Sequence, residues 1–369
     1  MLASNKDRSP IFARAATWGR PNSGQEWGNN HHAPNDHGYS TNNGGHMAWG
    51  TRKMMALGLD IGGTAIKAMV VDVTGAIVGR ASRETPASSG VEACLGAIEA
   101  AADAALEDAG LRRHHMVGAG VGVPGIVLSK TGIVRTVANL DGWSDVPLRQ
   151  LLASRLGIPV LLANDANAAA LGEARFGAGR GIGNLVLLTL GTGIGGGVIM
   201  NHQIVEGGNG LAGEIGHMRI EMTRPRPCGC GRFGCLEAYA GAKGLIKRTH
   251  EALADDWKRH SALHEVAEGR SIEAVDVFRL ADDGDFLAIR LIDDTALALA
   301  AGIVNVMHLL DPDLVLLSGG MTAAGPEFLG KVCSFVRELA LEPVAGTPIR
   351  YAALGADAGG IGAAALVLK

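Results

Sequence analysis

Leu185-Val-Leu-Leu-Thr-Leu190 breaks into Gly191-Thr-Gly-Ile-Gly-Gly-Gly197 and resumes as Val198-Ile-Met200. It runs on through Gly213-Glu-Ile-Gly-His217 to Cys228-Gly-Cys-Gly-Arg-Phe-Gly-Cys-Leu-Glu237. Two apolar runs around a glycine bend read as two buried strands and a tight turn. Such a turn presents backbone N–H groups with no side chains in the way, a concavity that suits phosphate oxygens. The same form occurs earlier, in Leu57-Gly-Leu-Asp-Ile-Gly-Gly-Thr-Ala-Ile-Lys-Ala-Met-Val-Val71. Each copy opens one half of the chain beyond residue 53. Two related halves facing each other bring both glycine turns to one cleft, where a ligand pocket is expected.

Working outward, residues 1–53 differ in texture from the rest. They are rich in Asn, Gly, Ser and His and carry no sustained hydrophobic period, so a disordered low-complexity tail is expected there. His31, His32, His37 and His46 belong to that solvated tail, and Met54-Met55 offers an alternative start just before the first strand. Strands are expected at 57–61, 65–72, 76–83 and 117–123, with a helix at 91–109 and a further strand after Pro159. This alternation implies a largely parallel sheet. Residues 241–309 read as mostly helical with polar segments near 255–260 and 282–285, Leu314-Val-Leu-Leu317 as a last strand, and 363–368 as a small-residue helix. The expected division is an N-terminal α/β domain over 54–165, joined by the C-terminal helix 357–369. A C-terminal α/β domain over 166–356 carries a cysteine-bearing insertion at 210–237.

Composition removes whole classes of function. Of 369 residues, 47% are apolar and 19% charged, which describes a packed α/β protein rather than a disordered one. A formal net charge of −4 argues against a general nucleic-acid or membrane binder. No apolar run approaches the roughly 20 residues of a membrane span, and no secretory leader is visible, so a cytoplasmic protein is expected. Five cysteines are too few for a disulfide scaffold in a chain of this length. Cys94 and Cys333 are isolated and read as inert packing.

Two glycine patterns invite a dinucleotide-binding assignment, Gly120/Gly122/Gly125 and Gly191/Gly193/Gly196. That fold needs the glycines to open a helix. Pro124 interrupts the first, and the second continues into a strand, so neither qualifies. Nor is there a phosphate-binding lysine loop of the P-loop type. The three glycine turns at 62–63, 191–197 and 319–320 instead point to phosphoryl transfer. Thr64 and Thr192 can add hydroxyl donors there, and Asp60 can hold Mg²⁺ directly or through water.

The cysteines have metal-ligand spacing. His217 precedes Cys228 by eleven positions, Cys230 follows two later and Cys235 five after that. One imidazole and three thiolates fill a tetrahedral zinc shell with no open position, which makes the site structural. The plainer alternative is a set of free thiols or one disulfide. Asp165, in Leu161-Leu-Ala-Asn-Asp-Ala-Asn167, follows a buried strand and begins a helix. It reads either as a helix cap or, because strand ends in α/β sheets are where ligands bind, as an acid that takes a proton from a substrate hydroxyl.

From about Met55 to its end the chain resembles the ROK family (repressors, open reading frames and kinases), particularly its bacterial glucokinases. The matching motifs are Asp60-Ile-Gly-Gly-Thr64, Gly122-Val-Pro-Gly-Ile-Val127, Asn139-Leu-Asp-Gly-Trp143, Asn164-Asp-Ala-Asn167, Leu190-Gly-Thr-Gly-Ile-Gly195, Gly213-Glu-Ile-Gly-His217 and Cys228 to Glu237. The resemblance implies an actin-like ATPase (ribonuclease-H-like) fold, two α/β domains around a central cleft with a small zinc knuckle. It implies ATP-dependent phosphorylation of a hexose at the 6-hydroxyl, with glucose as the leading substrate. Fructose, mannose, allose or N-acetylmannosamine are the alternatives of the same chemistry. A sugar-responsive transcriptional regulator is the less favoured reading, since residues 1–53 show no helical period for a winged helix.

By the same resemblance Asp165 is the general base. Gly63, Asn139, Asn164, Asp165, Glu214, His217 and Glu237 contact the sugar. Asp60, Gly62, Gly63, Thr64, Thr192, Gly193, Gly319 and Gly320 contact the nucleotide and Mg²⁺. His217, Cys228, Cys230 and Cys235 hold a structural Zn²⁺. A homodimer with no nucleic-acid or membrane partner is expected. The choice between ATP and polyphosphate as donor stays open at this point.

Overall fold

The computed structural model describes residues 54–137, 139–256 and 260–368. The expected tail at 1–53 and part of the polar segment 255–260 lie outside the described residues.

The internal repeat is a repeat of topology. β1 (Met55–Ile61) turns through Gly62-Gly-Thr64 and pairs antiparallel with β2 (Ala65–Asp72), which pairs antiparallel with β3 (Ile77–Glu84). After α1 (Gly90–Asp108), β4 (Met116–Val123) returns parallel to β1, with Asp60 opposite Gly122. A three-stranded antiparallel sheet follows, made of β5 (Ile126–Leu128), β6 (Ile133–Thr136) and β7 (Ser144–Val146). Then come α2 (Leu148–Leu156) and β8 (Val160–Asn164), parallel beside β4, so that the first large sheet has the order β3-β2-β1-β4-β8.

α3 (Asp165–Phe176) leads to the second large sheet. There β9 (Leu185–Leu190), β10 (Ile194–Met200) and β11 (Gln203–Ile204) form the antiparallel half. A helical stretch follows: α4 (Glu237–Ala240), α5 (Ala242–Asp255), α6 (Leu263–Gly269), α7 (Ala274–Asp282) and α8 (Phe286–Leu310). β12 (Leu314–Ser318), α9 (Gly325–Leu339) and β13 (Ile349–Tyr351) complete the parallel half, in the order β11-β10-β9-β12-β13. The chain closes with α10 (Ala358–Ala365).

Each large sheet is therefore mixed rather than largely parallel. The glycine turns make hairpins of the first strands, and only the later strands return through helical crossovers. The last helix, Ala358–Ala365, falls within the expected 357–369 but begins earlier than the small-residue helix expected at 363–368. Gly359, Gly360 and Gly362 read as turn residues in isolation, but here they form the contact surface. α10 packs on β1 and β4 and against α3, while α3 packs on β10 and β9. A Cβ at Gly120 would fall 1.7 Å from the Ala363 carbonyl oxygen, and one at Gly362 would fall 1.7 Å from that of Ala168. The two helices and the sheet meet backbone to backbone, which the run Ala166–Ala170 and the glycines of α10 permit.

Gly362→Val should accordingly separate α3 from α10 and destabilise the fold by about 1–3 kcal/mol or more, the usual range for overpacking. Urea denaturation checks this, and an unchanged midpoint would refute the close-packing account.

Separate cores hold the two large sheets. Leu57, Leu59, Ile61, Val121 and Leu162 bury with α1 and α2, and Leu188, Val315 and Leu317 bury with Leu291, Leu299 and Ile303 of α8.

Candidate active site

The ends of β8, β9 and β12 converge on one cavity of about 470 Å³. It is lined by Asn164 and Asp165 at the start of α3 and by the turn Gly191–Gly196. Glu214, His217, Glu237 and Gly319 complete the expected members of its wall, together with Gly125, Thr189, Gly210 and Gly213, which the sequence reading did not assign to the site.

The capping question at Asp165 resolves by geometry. Asn164 is the helix cap: it has extended backbone, and its Oδ1 accepts the N–H groups of Ala166 at 2.9 Å and Asn167 at 3.3 Å. Its amide in turn donates to the Gly125 carbonyl at 3.2 Å. Asp165 is the first residue of the helix proper, and the Ala166 N–H donates to its Oδ1 at 2.9 Å. Burial pushes its carboxyl up to about 6. The Ala166 N–H opposes that shift, and the nearby Asp60 carboxylate adds to it. Asp60 itself is raised by burial, with Lys67 across the hairpin pulling the other way. Two carboxylates thus flank Gly122 at the end of β4.

The four expected metal ligands come together. The ligand atoms of His217, Cys228, Cys230 and Cys235 all lie within 4.8 Å of one another. Cys230 Sγ and Cys235 Sγ are 3.8 Å apart, and His217 Nδ1 is 3.8 Å from Cys228 Sγ. A disulfide would bring two sulfurs to about 2.05 Å. Two thiolates on one tetrahedral zinc, with Zn–S near 2.3 Å, sit roughly 3.8 Å apart. The residues fit a metal and not a disulfide. A turn closes the knuckle, with Cys228 N–H donating to the Arg232 carbonyl at 2.8 Å and Gly231 at φ 79°. Isolated bridges Arg219–Cys235 and Pro227–Phe233 brace it.

This cluster is continuous with the cavity wall. His217 turns Nδ1 towards Cys228 and places Nε2 3.9 Å from Glu214 Oε2. Glu237 accepts the Ile194 N–H at 3.1 Å on one oxygen and faces the Cys228 sulfur at 3.4 Å with the other. Glu237 thus stands between the knuckle and the glycine turn and is hydrogen-bonded to the turn. A Cβ at Gly193 would fall 2.1 Å from Glu237 Oε2, which explains the glycine there.

The other expected residues spread around this centre. Thr192 and Gly193 line the cavity, while Gly320 lines a neighbouring, more apolar one of about 540 Å³. That second cavity opens beyond Gly191 and Thr192, between α7 and the segment after β12, with Ala274, Val275, Phe278, Met321 and Ala324 on its walls. Its side chains carry no motif, so sequence reading had no signal for them. Gly319 has φ 95°, and a Cβ there would fall 2.5 Å from the Leu190 carbonyl oxygen. Gly62, Gly63 and Thr64 sit in the β1–β2 turn and do not line these two cavities. Asn139 lies next to Gly63 and opens onto a third cavity that also touches His217 and Glu237.

Two sheets of identical order, each with a glycine turn between its first two strands, define the actin-like ATPase fold, with a polar cleft at the strand ends. The ROK family profile matches residues 56–369. The glucokinase of Halalkalibacterium halodurans is 38% identical over 312 residues, covering 84% of this chain and 94% of that protein. The crystal structure of a ROK hexokinase from Thermus thermophilus aligns with a TM-score of 0.72 at 34% identity, covering 85% of this chain and 97% of its own. A ROK glucokinase from Streptomyces griseus in complex with glucose and AMPPNP aligns with a TM-score of 0.71 at 34% identity, covering 85% and 98%. The chain belongs to the ROK family. No helix among the described residues is long and apolar enough to cross a membrane.

Proposed function

We propose that this chain, an ATP-dependent sugar kinase, transfers the γ-phosphoryl group of ATP to the 6-hydroxyl of a hexose, with glucose the preferred acceptor. The observation that carries the reading is Asp165: half-buried at the cavity wall, relieved of helix capping by Asn164, with its carboxyl pushed up to about 6. Phosphoryl transfer needs in-line positioning and charge stabilisation more than covalent help. Asp165 takes the proton from the sugar hydroxyl as its oxygen attacks the γ-phosphorus, and the glycine turn at 191–193 presents N–H groups to the phosphates. Asn139, Asn164, Glu214, His217 and Glu237 orient the sugar, with Gly63 at its edge.

The nucleotide extends past Thr192, Gly193 and Gly319 into the apolar cavity beside Gly320, where Phe278 and Met321 face the base. Asp60, with Gly62 and Thr64, approaches the phosphates from the other large sheet. Mg²⁺, when bound, neutralises charge on the transferring group, and Asp60 is the side chain placed to hold it directly or through water. His217, Cys228, Cys230 and Cys235 hold Zn²⁺, which supplies fixed geometry.

A coupled assay across glucose, fructose, mannose, allose and N-acetylmannosamine should rank glucose first by kcat/KM. A clear preference for another of these sugars would defeat the glucose assignment while leaving the kinase reading intact.

A further inference from the structure

The part of the central cavity wall formed by Gly210, Ala212, Gly213 and Glu214 belongs to a strap, residues 206–214, that follows β11. None of its residues is buried. Gly207, Gly210 and Gly213 have φ of 74°, 69° and 92°, left-handed backbone that glycine adopts as readily as any other. The strap closes on itself where the Ala212 N–H donates to the Glu206 carbonyl at 3.1 Å. A segment with three such glycines and no buried apolar side chain lies at the low end of local stability, so it needs an external tie to keep one position.

That tie comes from the small sheet β5–β6–β7. Ser129 Oγ donates to Glu206 Oε2 at 2.5 Å, and both residues are half-buried. The serine stands on a turn that is itself well held. Thr131 and Gly132 N–H donate to the Leu128 carbonyl at 3.1 and 2.8 Å, and the Arg149 guanidinium on α2 donates to the Ser129 and Lys130 carbonyls at 3.2 and 3.3 Å. Gly210 meets the adjoining strand β5, where a Cβ would fall 2.3 Å from the Val127 carbonyl oxygen. The strap therefore docks twice, by backbone contact at Gly210 and by one charge-assisted hydrogen bond at Glu206. Among the described residues, no other side-chain hydrogen bond or ion pair joins 206–213 to the β5–β6 turn.

We infer that Ser129 and Glu206 are positioning residues for the acceptor sugar: their hydrogen bond fixes the strap as a wall of the cavity and so sets where Glu214 stands. Neither residue lines the cavity, and both act through the strap. The inference rests on the reading of Glu214 as a sugar contact. The proposed nucleotide side is built from other segments, the glycine turn, Gly319 and the apolar cavity beside α7, so loss of the tie acts on the acceptor and not on the donor.

The test has two parts, both on the full chain. Hydrogen exchange read by mass spectrometry needs no substrate: peptides from 205–214 should exchange about threefold or more faster in Ser129→Ala than in wild type, with those from 185–196 unchanged. Steady-state kinetics then read the function. Ser129→Ala and Glu206→Ala should each raise the hexose KM by about three- to tenfold, the equivalent of one hydrogen bond to a charged group, with the ATP KM moving by less than about twofold. The double variant should be no worse than either single one, because both break the same contact. Ser129→Thr keeps the hydroxyl and should keep the wild-type KM, an outcome that a loss of general stability would not produce. Unchanged exchange at 205–214, additive effects on KM, or faster exchange with an unchanged hexose KM overturns the inference. A wild-type chain that phosphorylates no hexose sinks the kinase reading by itself, and the exchange result still decides whether Ser129 and Glu206 hold the strap.

Discussion

Asp165→Asn is expected to lower kcat by roughly 10²–10⁴-fold, the range of general-base catalysis, with hexose binding retained within a few fold. Asparagine keeps the size of the side chain, and the cap at Asn164 is untouched, so α3 still begins in the same place. What is lost is the acceptor for the hydroxyl proton. Activity within about tenfold of wild type would refute the role of base. The wild-type profile carries a second signature. A carboxyl pushed up to about 6 is half protonated near that pH, so kcat/KM should fall as pH drops through 6.

The same shift sets a stability change of opposite sign. The native carboxyl keeps its proton up to about 6, whereas the unfolded one releases it near 3.8. Between those values the native state binds more protons, so stability declines as pH rises, and above 6 the full penalty stands. Ionised Asp165 costs the fold on the order of 2–3 kcal/mol at pH 7.5. The inactive Asn variant should therefore melt higher than wild type at pH 7.5, with the gain shrinking below pH 6 and absent below about 3.8. A variant that is inactive because it misfolds would melt lower.

The features legible in the sequence are those in which backbone demand restricts residue choice. The turns at 62–64 and 191–193 hold glycines where a Cβ would fall 2.9 Å from the Ala65 carbonyl oxygen, at Gly62, and 2.1 Å from Glu237 Oε2, at Gly193, and they announced both the hairpins and the internal repeat. The knuckle needs thiolates, an imidazole and glycines between them, and its spacing carried through to a cluster whose sulfur separation suits a metal. Asn164-Asp165 was legible as a strand-to-helix junction, but which residue caps the helix depends on whose side chain turns back to the Ala166 and Asn167 amides. Only geometry settles that. The apolar cavity beside Gly320 was invisible because Phe278 and Met321 differ in no way from core residues until two distant segments meet. The hairpin sheet β5–β7 escaped for a related reason. Strands of three and four residues are too short to display a period of two.

Cys235→Ser should raise the hexose KM by about 10–100-fold, the range seen when the support of a metal site is disturbed. Cys235 is buried and two residues upstream of Glu237, and its sulfur stands 3.8 Å from that of Cys230. A serine hydroxyl does not replace a thiolate on zinc, so the knuckle opens and two wall residues are released together. His217 loses the partner of its Nδ1, leaving Nε2 free to turn away from Glu214. Glu237 follows Cys235 by two residues, so its backbone is released with the knuckle while its carboxylate keeps only the Ile194 N–H beside Gly193. Both side chains lie on the proposed sugar side, whereas the apolar cavity that takes the base is built from α7 and the segment after β12. The KM for ATP should therefore move much less than that for hexose, and metal analysis should find about one zinc per wild-type chain and less in the variant. A variant with unchanged hexose KM, or wild-type protein that is folded and active without metal, would remove zinc from the account of how the sugar is held.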